Sequence, residues 1–124
     1  MEFFAFAKSD WDETQLKNAL SMDRLNSYSD SIEKVIEASD DWGNYFTIWG
    51  EFRVLRIEII GGYRFVMPNC QNGLTWSITT GYEPYPDKIN IHTTINREKQ
   101  DPDFIETLVD FTNEWALSLE KISN

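Results

Sequence analysis

The chain has 124 residues, with 11 Lys+Arg against 21 Asp+Glu and a formal net charge of −10, and its 41% hydrophobic and 26% charged content is that of a globular domain and not of an acidic disordered tail. No apolar run reaches the roughly 18 residues that a membrane span needs, and no secretory signal is expected at the N-terminus. One cysteine excludes an internal disulfide and fits a reducing, cytoplasmic setting, while the acidic surplus argues against direct binding to nucleic-acid phosphates.

Phe3-Phe4-Ala5-Phe6-Ala7 is apolar but too short to assign between strand and helix. Ser9-Asp10 then predicts a helix start, with Asp10 and Glu13 at capping-box spacing and Leu16, Ala19 and Leu20 on its apolar face. After a polar break at Asn26–Ser29, Ile32, Val35 and Ile36 recur at helical spacing, with Glu33 and Glu37 between them. That spacing predicts a second short helix from Ser29 or Asp30, closed by a turn at Ser39–Asn44.

The middle of the chain changes to period two. Leu55, Ile57 and Ile59 alternate with Arg56 and Glu58; Tyr63, Phe65 and Met67 with Arg64 and Val66; Leu74, Trp76 and Ile78 with Thr75, Ser77 and Thr79. Ile89, Ile91 and Ile95 alternate with Asn90, His92 and Thr94. These are four expected strands, and Tyr45–Trp49 is a candidate fifth. Gly61-Gly62, the Asn72-Gly73 turn and Gly81–Asp87 are short links, which favour an antiparallel meander.

The last segment returns to helical period. Asp101 is a good N-cap, Pro102 a good first residue, and Ile105, Leu108, Trp115, Leu119 and Ile122 form an apolar stripe. The predicted architecture is a single α+β domain over residues 1–124. It has N-terminal helices, an antiparallel sheet of four to five strands and a long C-terminal helix on one face. That helix is expected to cover Leu55, Ile57, Trp76 and Ile91.

Charge follows these blocks: residues 1–44 carry −6, residues 45–97 carry +1 and residues 98–124 carry −5. Asp103, Glu106, Asp110 and Glu114 line one face of the last helix, where like charges at i,i+4 cost a few tenths of a kcal/mol each. Glu33, Glu37, Asp40 and Asp41 make a second acidic group, and Trp42 beside them is a candidate anchor. These nine residues are the expected partner-binding set. Cys70 and His92 are the single thiol and the single imidazole, with nothing in the sequence to join them as a nucleophile and base. No metal-ligand spacing and no phosphate-binding glycine loop is present, so no catalytic, metal or cofactor site is expected.

One compact acidic domain without a catalytic set is similar in profile to small bacterial immunity proteins. That likeness implies a non-enzymatic, cytoplasmic protein that masks a basic protein partner such as a nuclease toxin, a partner steered by charge. Two other readings stand beside it. One is a secretion chaperone. The other is a small ligand-binding domain or enzyme using the sheet face of Arg56, Glu58, His92 and Thr94, which an apolar cavity under the sheet would support.

Overall fold

In a computed structural model, which describes residues 1–97 and 99–124, the chain forms a seven-stranded antiparallel sheet with helices on one face. The strands are β1 (Glu2–Lys8), β2 (Ile32–Ala38), β3 (Trp42–Thr47), β4 (Gly50–Ile59), β5 (Gly62–Val66), β6 (Thr75–Thr80) and β7 (Lys88–Thr94). Their spatial order is β1-β7-β6-β5-β4-β3-β2, so β2 to β7 form a meander and β1 returns to pair with β7. Helix α1 (Glu13–Ala19), a short 3₁₀ turn (Met22–Arg24) and α2 (Leu25–Tyr28) join β1 to β2, and α3 (Pro102–Ser123) follows β7.

The expectation of four to five strands is therefore corrected to seven, and two local readings change with it. Phe3–Ala7 lies in a strand. The segment read as a second helix is β2, an edge strand. Its register against β3 slips between Ile32 and Lys34 and again between Val35 and Glu37. An extra residue at a bulge reverses the alternation of a strand. Ile32 and Val35, three apart, thus oppose Thr47 and Tyr45 on the inner face, a spacing that imitates a helix. The turn is shorter than expected, because Trp42 already belongs to β3.

Helix α1 starts later than the sequence suggested. Asp12 is its N-cap, accepting from the Gln15 N–H, while the Gln15 side chain accepts from the Asp12 N–H at 3.0 Å. Glu13, the expected box partner of Asp10, instead accepts from the Gly61 N–H and ties α1 to the β4–β5 turn. Gly62 is required there: a Cβ would collide with the Ile78 carbonyl of the neighbouring strand.

Helix α3 begins as the sequence indicates, with Asp101 capping the Asp103 N–H at 2.9 Å and Pro102 in the first turn. It buries Leu108, Phe111, Thr112, Trp115, Ala116 and Leu119, whereas Ile105 is half-buried and Ile122 exposed. It lies over β1 and β7. Its inner-face neighbours on β1 are Ala5 and Ala7, whose small side chains let a helix approach closely. Trp76 and Ile91 are buried on the inner face as expected, but Leu55 and Ile57 are not. Register places Arg56 opposite Phe65, and Phe65 opposite Trp76, so in β4 the inward residues are Val54, Arg56 and Glu58. Arg56 is tolerated there because its guanidinium donates to the Leu20 carbonyl at 2.9 Å, pairs with Asp41 at 3.1 Å and lies 4.2 Å from the Tyr63 ring centre.

Candidate functional site

Between α3 and the sheet, two stretches of the inner face are furnished differently. Around the middle of α3 the space is filled by aromatic rings. Trp76 stacks on Phe65 at 5.2 Å and meets Phe111 edge-on at 4.9 Å, while Trp115 stacks on Tyr28 at 5.7 Å. Around the first turn of α3 the same two layers leave a cavity of about 260 Å³.

Four parts of the chain build that cavity. The β3–β4 turn supplies Trp49, and Thr47 shapes the turn by accepting from the Trp49 N–H at 3.1 Å and donating to the Gly50 carbonyl at 2.8 Å. The Trp49 indole donates to Thr107 Oγ1 at 3.0 Å, and its ring meets Phe104 and Phe111 edge-on. Phe52, Met67 and Leu74 come from the sheet side, and Phe104 from α3. The last part is the loop after β5. Consecutive turns fold it, with the Cys70 N–H donating to the Met67 carbonyl and the Gly73 N–H to the Cys70 carbonyl. They bring half-buried Cys70 to the wall beside Asn69, Gln71 and Asn72. Among the described residues no charged side chain lines this cavity. Its polar groups are three amides and a thiol at one side of an apolar, aromatic pocket.

The residues singled out from the sequence are distributed elsewhere. Asp103, Glu106 and Asp110 are exposed along α3. Glu114 is half-buried and accepts from Ser29 Oγ at 2.9 Å, the Ser31 N–H at 3.1 Å and Ser31 Oγ at 2.8 Å, which pins α3 to the α2–β2 connection. Glu33 and Glu37 are exposed on edge strand β2. Asp40 and Asp41 form the turn to β3, with Asp41 held by Arg56. Trp42 is half-buried beneath the Arg53 guanidinium, 4.8 Å from its ring centre. The two acidic groups thus belong to separate surfaces, one on the helix layer and one on the far edge of the sheet.

The polar face proposed as an alternative also divides. Arg56 and Glu58 share the inner face with Phe65 and Tyr63, whereas His92 and Thr94 are outward, in register with Ser77 and Thr75. Cys70 lines the inner cavity and His92 an outer cleft, so the sheet separates the thiol from the imidazole.

No signal in the sequence joined the cavity residues, because Trp49 and Cys70 come from two separate connections and Phe104 from α3. A weak sign was present: Cys70 interrupts an otherwise polar loop, Asn69–Asn72, as a residue that packs inward does.

No family model and no curated protein matches the chain. Solved structures with similar folds do. A START superfamily protein from Mycobacterium smegmatis matches with a TM-score of 0.64 and 8% identity, over 99% of this chain and 95% of that one. The Bacillus cereus protein XoxI gives a TM-score of 0.70 and 9% identity, over 98% and 94% of the two chains. An uncharacterized protein from Bacillus thuringiensis gives 0.65 and 9%, over 98% of both. At this identity the likeness is one of fold. It overturns the immunity-protein and toxin-inhibitor reading: the chain shares its fold with these structures and has a cavity where its sheet and C-terminal helix meet. The alternative of a small ligand-binding domain fits that fold better.

Proposed function

We propose that the chain binds a small, uncharged, largely apolar molecule in the cavity at the first turn of α3, as a carrier or sensor and not as a catalyst. The observation that carries this reading is an aromatic cavity without a charged lining among the described residues, in a fold shared with a START superfamily protein, START being a ligand-binding fold. Burying ligand surface against Trp49, Phe52, Leu74 and Phe104 supplies the affinity, at about 25 cal/mol per Å² of apolar area before the costs of association. The amides of Asn69, Gln71 and Asn72 supply orientation. A volume of about 260 Å³ lies below the range of roughly 300–1,000 Å³ typical of drug-sized ligands, which sets the size class. A charged ligand is disfavoured, since no opposite charge among the described lining residues would pair with it in place of its lost hydration.

Among the described residues no helix is long and apolar enough to cross a membrane. The free Cys70 at the cavity fits a cytoplasmic setting, where thiols stay reduced.

Titration with a panel of small neutral aromatics, read by intrinsic tryptophan fluorescence and thermal melting, tests the reading. At least one compound should quench saturably and raise the melting temperature. Cys70→Phe, which fills the cavity from its wall, should weaken that compound tenfold or more while the variant stays folded. Saturable binding that is equal in Cys70→Phe, or a panel with no binder, would overturn it.

A further inference from the structure

On the other side of the sheet lies a second concavity, of about 230 Å³, with an opposite chemistry. Its floor is the outward row of three strands: Arg64 of β5 stands opposite Ser77 of β6, and Ser77 opposite His92 of β7. The next outward row adds Thr75 opposite Thr94. Directly opposed side chains on antiparallel strands stand about 5 Å apart, so these groups converge on one patch. Gly73 and Asn96 form the end wall. Gly73 has φ +62, and a Cβ there would collide with the Asn96 side chain, so glycine lets Asn96 close over the loop. The Asn96 N–H donates to the Asn72 carbonyl at 2.7 Å and fixes that closure.

The donors in this cleft are unspent. Among the described residues, Arg64 makes no ion pair and no side-chain hydrogen bond, and the Ser77 and Thr94 hydroxyls and the Asn96 amide have no partner either. Thr75 differs, donating to the Gly73 carbonyl at 3.3 Å. The nearby carboxylate, Glu2, is engaged with His92 Nε2 at 2.9 Å, and the imidazole is held flat by Phe4, stacked at 4.4 Å. Among the described residues Arg64 is thus a guanidinium without a paired carboxylate, ringed by hydroxyl and amide donors, in a chain whose formal charge is −10.

We propose that this outer cleft binds the oxyanion group of a small metabolite, a phosphate or a carboxylate. Arg64 is the anchoring cation, with Ser77, Thr94 and Asn96 donating to the remaining oxygens. A guanidinium presents planar paired donors suited to either group. The site is independent of the inner cavity, from which the sheet separates it.

Amide chemical-shift titrations with inorganic phosphate and with acetate, at constant ionic strength, test the proposal. Saturable shifts should centre on Arg64, Ser77, Thr94 and Asn96 for at least one anion. The tighter of the two identifies the group recognised. Arg64→Gln, at an exposed position that should leave the melting temperature unchanged, should weaken that binding at least tenfold. Ser77→Ala should weaken it less. Cys70→Phe should leave it intact, which separates this site from the inner one. Shifts that rise linearly without saturating, or saturable binding unchanged in Arg64→Gln, would overturn the assignment.

Discussion

The middle and the first turn of α3 face the same sheet, yet one is packed solid and the other holds a cavity. At the middle, Trp115, Trp76, Phe65 and Phe111 interlock, and the α1–α2 connection adds Leu16, Leu20, Met22, Leu25 and Tyr28 from outside. At the first turn no such connection arrives among the described residues, and the enclosing pieces are a hairpin turn and the eight-residue excursion from Met67 through Leu74. Two layers alone do not decide whether a grip of this kind is filled. The connections that plug or leave open its ends do, and stability and binding are accordingly assigned to different stretches of one helix.

The largest test removes a ring from the packed stretch. Trp115→Ala should cost about 3–5 kcal/mol and Leu108→Ala about 2–5 kcal/mol in urea unfolding, since both are fully buried. Phe104→Ala, at the half-buried wall of the cavity, should cost less than either and act on ligand affinity instead. Equal losses at Trp115 and Phe104 would erase the distinction between the two stretches.

The next effect concerns what holds the packed stretch shut. Glu114 takes three hydrogen bonds from Ser29 and Ser31, and Glu114→Ala leaves those donors without an acceptor. Hydrogen bonds to a charged group are worth about 1.5–3 kcal/mol each, less where water can replace them, so a loss of about 1–3 kcal/mol is expected. Glu114→Gln, which keeps one acceptor oxygen, should recover part of it. A neutral Glu114→Ala would return this residue to the solvated acidic stripe in which its spacing alone placed it.

How far the fold could be read from the sequence follows from such cases. Helix α3 was legible because its cap, proline and apolar stripe agree, and β5, β6 and β7 because their inward residues are the apolar ones. Strand β2 was not, because two bulges shift its alternation to a spacing of three. Strand β4 was read with the wrong face inward. Its Leu55, Ile57 and Ile59 alternate cleanly, but the inner positions hold Arg56 and Glu58, whose partners Leu20, Asp41 and Lys17 are remote in sequence. The cavity escaped for the same reason: its walls meet only in three dimensions.

A smaller effect appears with pH. Burial pushes the phenols of Tyr45 and Tyr28 above their ordinary value; the Asp23 charge adds to this, while Arg56 at Tyr45 and Arg24 at Tyr28 oppose it in part. The folded chain therefore keeps both protonated beyond the pH at which the unfolded chain releases them. The associated stability is full below about pH 10 and declines as pH rises through the folded values. Tyr45→Phe should flatten that decline in urea midpoints taken from pH 8 to 11. It should also cost about 1 kcal/mol at neutral pH, because the Met22 carbonyl loses a donor at 2.6 Å. An unchanged alkaline slope would mean that Tyr45 does not link folding to pH.

The smallest effect is expected on the outer side of α3. Asp103, Glu106 and Asp110 are exposed and make no ion pair among the described residues. Reversing all three to Lys changes the formal charge from −10 to −4, at two charges per residue. Lys at position 103 is unfavourable to the helix dipole by about 0.3–1 kcal/mol at most. Removing the Glu106–Asp110 and Asp110–Glu114 repulsions returns a few tenths of a kcal/mol each. The Asp101 cap survives, since it engages the backbone N–H of residue 103 and not its side chain. These terms nearly cancel, so stability should stay within about 0.5 kcal/mol of the parent, as for surface changes generally. Binding in the inner cavity should be unaffected, because an uncharged ligand gains nothing from a distant field that salt screens within about 10 Å at 0.1 M. A loss above 1 kcal/mol, or a tenfold change in ligand affinity, would show that the exposed side of α3 takes part in one of the two stretches after all.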